Sequence, residues 1–410
     1  MKSKNTNLPK KYILIDFNCA NEYTHHWSSV LSYAHIIKSQ SSNLEIWLPV
    51  YVSNNISKKI SEFGTIQKIL RSPQYGVENI SAAPISYILA KITNLIFESI
   101  HIGEQLKNFT RLIIIRIYLF GLIRRINKES KNFQIRIVFP SLDFLGLKLL
   151  QHIVVKNPDV EVYSRRMGAE TKGPLMVGNE LSLLLQILES ESGSRIRVGI
   201  PTLNLYNSLK KTLINSERIF WSPLPSVLKS NSNKFLEEFD KIRIGFPGTA
   251  KESKGYDLIP EIISKYVQDG VDLDVLIQKT KHPWNRYSKS REKIMLSGAT
   301  VHEFDAVLGI EEYGNFLNCC DVIYLPYQSK HYKEADSGIL YEAADRNIPI
   351  FCNKGLGFSE EAYIFGIGVD PANLKSSKDL FRIANSMEIK SNIRSYNNLR
   401  NKTIMEFLNL

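Results

Sequence analysis

The sequence predicts an α/β protein carrying two parallel sheets, and three observations lead there. First, 410 residues with 43% hydrophobic content supply core for two domains of ordinary size. Second, apolar runs of strand length recur between amphipathic helical stretches along the chain, the alternation that builds layered α/β structure on parallel sheets. Third, two segments rich in glycine and charge lie beside such runs, where a parallel sheet offers ligands the C-terminal ends of its strands.

In chain order, the strand-like runs are 12–16, 45–50, 135–140, 160–163 and 196–200, then 242–246, 273–277, 322–326 and 348–352. After the first run, residues 16–24 lead into His25-His26-Trp27, where a helix starts. Residues 107–131 combine the apolar runs 112–115 and 117–123 with Lys107, Arg111, Arg116, Arg124, Arg125, Lys128 and Lys131. Arg116 interrupts the ~20 apolar residues that a membrane-spanning helix needs. Such a basic, apolar helix suits an anionic bilayer surface; a buried helix with solvated ends fits it equally. The prolines and serines of 221–226, continued by the polar run 229–234, read as a hinge. This divides an N-terminal domain, 1–225, from a C-terminal domain, 226–386, with a helix-compatible tail at 387–410.

The net charge of +11 is unevenly shared: residues 1–240 hold 30 Lys and Arg against 19 Asp and Glu, and residues 241–410 hold 22 of each. No recognition motif or aromatic-basic platform accompanies that excess, so nucleic acid is not an expected partner. Cys19, Cys319, Cys320 and Cys352 are too few and too irregularly spaced for a disulfide framework or a zinc site, and fit a reducing compartment. The polar residues 1–11 do not open as a secretory signal. A cytosolic location is therefore expected, with possible contact at the inner face of a membrane.

The richest chemistry lies in the second half. Phe246-Pro247-Gly248-Thr249-Ala250-Lys251-Glu252-Ser253-Lys254-Gly255 joins an apolar run to a helix-like run at 256–267. Strand, glycine loop, two lysines and helix suit a diphosphate. Farther on, Glu334 and Glu342 flank Ser337-Gly338, where a helix opens. Ser337 is a good N-cap, and Gly338 lets an anion approach the N–H groups of the first turn, through Ile339. A carboxylate at Glu342, one turn in, can accept bonds from two vicinal sugar hydroxyls, as a ribose requires.

Together these two segments resemble the C-terminal domain of retaining, GT-B-fold glycosyltransferases of the glycosyl transferases group 1 (family 4) class. The resemblance implies a GT-B fold: two Rossmann-like domains whose parallel sheets face across a cleft, with the C-terminal helix crossing back onto the first domain. In that family a glycine loop carrying Arg and Lys neutralises the donor diphosphate, and a Glu-x7-Glu element binds donor sugar and ribose. Lys254-Gly255 matches the Lys-Gly pair, Lys251 stands near where one variant carries Arg, and Glu334 and Glu342 match the paired acids. Two departures stand out: Thr249 takes the place of an Arg after the loop glycine, and the first Glu lacks the usual Gly-aromatic-Gly after it.

The resemblance implies transfer from a UDP- or GDP-sugar to a glycan or lipid-linked acceptor in cell-surface polysaccharide synthesis, with retained configuration and no metal or other cofactor. Glu334, Lys254, Lys251 and His26 would be catalytic. Gly248, Thr249, Ser337, Gly338, Ile339 and Glu342 would hold the donor. His25, Arg165 and Arg166 would face the acceptor. His25 and His26 also admit a plainer reading, one capping the helix and the other packing on Trp27; Arg165 and Arg166 equally suit an ordinary loop. Two other outcomes are a nucleotide-sugar epimerase of the same fold and a non-catalytic relative that binds the sugar nucleotide.

Asp272-Leu273-Asp274 has the Asp-x-Asp spacing of a metal-binding pair, yet strand alternation places both acids on one face, open to solvent. Glu311 and Glu312 form a second acidic pair on a helix, without a basic or metal-ligating partner at a useful spacing, and read as surface charges.

Overall fold

The computed structural model describes residues 8–16, 19, 25–41, 43–49, 52–69, 123–142, 153–155, 160–166, 182, 186–190, 194–212, 216–225, 241–248, 250–279, 288–306, 308–333, 335–374, 376 and 378–410. It separates into two compact units: residues 1–166 with 178–198 and 410, and residues 167–177 with 199–409.

One sheet has seven strands: β1 (Lys10–Ile15), β2 (Leu44–Pro49), β3 (Thr65–Ile69), β4 (Gln134–Leu142), β5 (Glu161–Arg166), β6 (Ile196–Ile200) and β7 (Ile219–Trp221), in the order β3-β2-β1-β4-β5-β6-β7. The pairs from β3 through β5 are parallel. The central strand β1 buries Tyr12, Ile13, Leu14 and Ile15 almost completely, as a strand covered on both faces must.

The other sheet has six strands: β8 (Ile242–Phe246), β9 (Leu273–Gln278), β10 (Thr300–Phe304), β11 (Val322–Leu325), β12 (Ile350–Cys352) and β13 (Gly368–Val369), all parallel, in the order β10-β9-β8-β11-β12-β13. This is the doubly wound order, which reverses between β8 and β11. The chain leaves β8 in one direction and β11 in the other, so a crevice opens at their C-terminal ends. Ile244, Phe246, Tyr324 and Phe351 from the strands join Tyr256, Ile259 and Ile263 from the following helix in one core. Burying a side chain such as Ile263 is worth about 1.5–3 kcal/mol. The one polar residue inside β8, Arg243, is held by a forked pairing with Asp321, at 2.6 and 3.0 Å.

Four strands have no counterpart among the apolar runs of the sequence: β3, β7, β10 and β13. β3, β7, β10 and β13 are the edges of the two sheets. β3 and β10 carry polar side chains such as Gln67 and Glu303, while β7 and β13 are only 3 and 2 residues long, so none of the four presents an apolar run of strand length.

The helix Met387–Leu408 begins at Ser386, whose hydroxyl accepts from the Ile389 N–H at 3.2 Å. It packs on β7 and on the helix Gly338–Asp345: Tyr396 lies against Trp221 and Phe365, and Phe407 against Phe220. Of the basic segment 107–131, residues 107–122 lie outside the described residues. Within the remainder Arg124 is exposed, but Arg125 reaches Glu45 at 2.6 Å and Gln67 at 3.1 Å and lies over the Trp47 ring. Arg125 therefore ties its helical segment to the sheet. Among the described residues no helix is long and apolar enough to cross a membrane.

Candidate functional site

The glycine loop leaves β8 at the point where the sheet reverses. Gly248 has φ +104° and Gly255 φ +66°, backbone values that suit glycine. At Gly255 a Cβ would also collide with the Pro326 carbonyl oxygen just beyond β11, so the loop lies directly on the strand end. Between them a single 3-10 turn, Glu252–Lys254, aims Lys254 back across Gly248, where a Cβ would strike its ammonium. Lys254 Nζ also sits 5.7 Å from the centre of the Tyr327 ring. Phe246, Gly248, Lys254, Tyr324 and Tyr327 line one pocket. Lys251, at the turn's start, is exposed. Lys330 anchors the turn from outside through Glu252, at 2.8 Å.

The second segment arrives from β11. Pro326 and Tyr327 lead to the short helix Ser329–Tyr332, and the helix Gly338–Asp345 follows. Glu334 lies outside the described residues, as does Thr249. Ser337 stands at the N-cap position, but its hydroxyl makes no capping bond; it hydrogen-bonds the buried Tyr327 phenol instead. Nothing stands within 4 Å of where a Cβ on Gly338 would lie, so there is room in front of that residue, while Ser337 is only 5% exposed. Ile339 is buried in the core behind it.

Glu342, one turn in, is the electrostatic centre. Burial pushes its carboxyl up to about 7, against the counteracting pull of Arg346, a hydrogen bond with Tyr313 and the charge of Lys254. Asp345 adds to the upward push. The two predicted segments come together at Tyr327, whose ring faces the Lys254 ammonium and whose phenol hydrogen-bonds Ser337, and at the Gln328 N–H, which donates to the Ser253 carbonyl oxygen at 3.1 Å. Arg346 is itself oriented, donating to the Glu342 carbonyl oxygen at 2.9 Å and to Asn318 at 3.1 Å.

Other expectations fare differently. His25 and His26 open the helix His25–Gln40, and their side chains lie outside the described residues. Arg165 is buried at the end of β5. Arg166 closes that strand, and its side chain is also outside the described residues. Asp272 and Asp274 share one ammonium, Lys241, at 3.4 and 3.9 Å, and Asp274 also faces His302. Glu312 accepts from the N-cap Gly309 N–H at 2.9 Å, which is the acidic half of a capping box. Asp272, Asp274 and Glu312 thus find their partners within the fold.

Four contributors were not singled out from sequence: Gln278, Tyr313, Tyr327 and Arg346. Tyr313 follows directly on the Glu311-Glu312 pair, and Arg346 lies one turn beyond Glu342. Spacing on a helix was the available signal for Arg346. The contact of Gln278 with the loop arises only when β8 and β9 pair, and no local pattern announces it.

The sequence matches no family model and no curated protein. Its fold is nevertheless similar to solved structures along nearly its whole length. HepE from Anabaena, in complex with UDP and glucose, is 11% identical at TM-score 0.56, over 98% of this chain and 99% of that one. A glycosyltransferase from Rickettsia africae ESF-5 is 12% identical at TM-score 0.60, over 97% and 98%. The trehalose-6-phosphate synthase OtsA is 11% identical at TM-score 0.59, over 98% and 97%. At these identities the likeness defines the fold class. The chain is an α/β protein of the GT-B type, built on two Rossmann-like domains.

Proposed function

We propose that this protein is a glycosyltransferase that takes its sugar from a nucleoside-diphosphate donor. The observation that carries the reading is the meeting of the Lys254 glycine loop with the Ser337-Gly338 helix start, through Tyr327, at the reversal point of the six-stranded sheet. Cleaving the donor leaves negative charge on a diphosphate, and fixed cations that strengthen with that charge lower the barrier. Lys254 is placed for this task, with exposed Lys251 available to approach the outer phosphate. A charge-assisted bond of this kind contributes about 1.5–3 kcal/mol. The carboxyl of Glu342 suits the ribose hydroxyls, and Glu334 is assigned to the sugar. The fold's likeness to a protein solved with UDP and glucose supports the same donor class.

The finer reading is retention of anomeric configuration, with the acceptor hydroxyl losing its proton to the departing phosphate and without a metal. The acceptor is a glycan or lipid-linked precursor of a cell-surface polysaccharide. The basic segment 107–131 offers an anionic membrane a place to dock while that acceptor is reached, and His25, His26, Arg165 and Arg166 are the acceptor-side candidates.

The test is incubation of the purified chain with a panel of nucleotide-sugars, with and without lipid-linked acceptors. Free nucleotide together with a lengthened acceptor is the expected result. Interconversion of the sugars would identify an epimerase, and binding without turnover a non-catalytic relative.

A further inference from the structure

The N–H of Gly248, a natural donor to a bound diphosphate, is already engaged: it donates to Oε1 of Gln278. Gln278 is the last residue of β9 and is 5% exposed. Its other amide atom, Nε2, points at the Asp305 carbonyl oxygen just past β10, at 3.5 Å. The polarity of the amide is fixed by its partners, because a backbone N–H can only donate and a carbonyl oxygen can only accept. One side chain thus spans the C-terminal ends of three adjacent strands, β8, β9 and β10, and holds Gly248, which lines the pocket.

The bond to Gly248 falls where the loop turns through φ +104°, the residue across which Lys254 lies. A glycine in this conformation costs more chain entropy to hold than any other residue, and the loop has no side chain of its own there to pack. A buried amide acceptor supplies the missing restraint. Lys279, next in sequence, strengthens the same junction by donating to Phe304 from its backbone at 2.7 Å and meeting the Asp305 carboxylate at 3.1 Å.

We propose that Gln278 is a positioning residue for the diphosphate: it pins the glycine loop so that the Lys254 ammonium is presented to the two phosphates before any ligand arrives. The inference rests on the nucleoside-diphosphate reading above. It assigns Gln278 no contact with the reacting atoms. It requires both ends of the amide, so neither a carboxylate nor a shorter amide can substitute. Glutamate lacks the donor toward Asp305 and adds a negative charge beside the phosphate site. Asparagine is one methylene too short to span the junction.

The distinguishing readout is the preference for two phosphates over one. Calorimetry on the full chain would give affinities for UDP, GDP and ADP and for the matching monophosphates. In Q278L and Q278N the affinity for the best diphosphate should fall about fivefold, the worth of one buried hydrogen bond, with a smaller change for its monophosphate. Q278E should lose more. An unchanged diphosphate-to-monophosphate ratio in variants that fold would overturn the inference while leaving the donor class standing. Wild-type protein that binds no nucleoside diphosphate would overturn both. Should the variants fail to fold, amide exchange of the ligand-free wild type decides: protection at Gly248 is expected, and exchange at the rate of an open loop would refute the pin.

Discussion

The guanidinium of Arg400 lies 2.9 Å from the Asp345 carboxylate, and neither side chain is appreciably open to solvent. Arg400 also donates to the Leu224 carbonyl oxygen at 2.8 and 2.6 Å and to the Tyr341 carbonyl oxygen at 3.3 Å, with its plane against the Tyr341 ring. Tyr341 in turn donates to the Pro201 carbonyl oxygen at 3.0 Å. Each of the three nitrogens of a fully buried cation thereby has an acceptor, the condition under which a buried ion pair is tolerated. The helix being gripped is the one that carries Glu342.

Replacing Arg400 with methionine would leave Asp345 as an uncompensated buried charge. The expected loss is about 3–5 kcal/mol. The double variant R400M/D345N should recover a large part of it. Urea denaturation of the two variants beside the wild type measures the difference, and equal losses in both would show that the pairing contributes nothing.

At Gly255 the backbone sits at φ +66°, with the Pro326 carbonyl oxygen in the space a Cβ would occupy. G255A should cost more than the ~1 kcal/mol of backbone strain alone, because the loop must lift off the strand end to relieve the clash. Thermal unfolding reports the loss, and diphosphate affinity should fall with it.

Two carboxyl groups, Glu342 and Glu361, are pushed by burial from 4.5 up to about 7. Glu361 is opposed chiefly by its hydrogen bond from Tyr396, then by the Leu203 N–H and the charge of Arg400. Across the interval between those values the native state keeps a proton that the unfolded chain has released. The contribution of these two groups to stability is therefore full below about pH 4.5, declines as pH rises to about 7, and levels off above it. E342Q and E361Q should each flatten part of that decline in urea midpoints taken across the interval.

Substituting Lys254 with methionine removes the ammonium while keeping much of the stem that packs along Gly248. Loss of one charge-assisted bond predicts a fall in nucleoside-diphosphate affinity of about tenfold to a hundredfold, with far-ultraviolet circular dichroism unchanged. Full affinity in K254M would remove this residue from the site.

Much of this architecture was legible in the chain. β8, β9 and β11 are buried on both faces save at Arg243 and Asp274, so they read as mainly apolar runs. The glycine loop was legible because Gly248 and Gly255 bracket lysines directly after a strand, and the helix tip because Ser337-Gly338 precedes an apolar turn. The edge strands were not, since Thr300–Phe304 alternates exposed with half-buried residues. The hydroxyl of Ser337 was assigned to the helix N–H groups, but Tyr327 offers it a buried phenol, a partner that only the packing of two loops brings near. Gln278 and Arg400 were missed for the same reason. Each is an ordinary polar residue in the sequence, and its importance comes from carbonyl and amide groups supplied by distant segments.

The dependence of Asp345 on Arg400 also sets an order of events during translation. The acid is made well before its counter-ion, so a nascent chain carries this helix without its electrostatic partner until residue 400 has emerged from the ribosome. A polypeptide halted short of that point would hold Asp345 without the guanidinium that answers it in the complete fold.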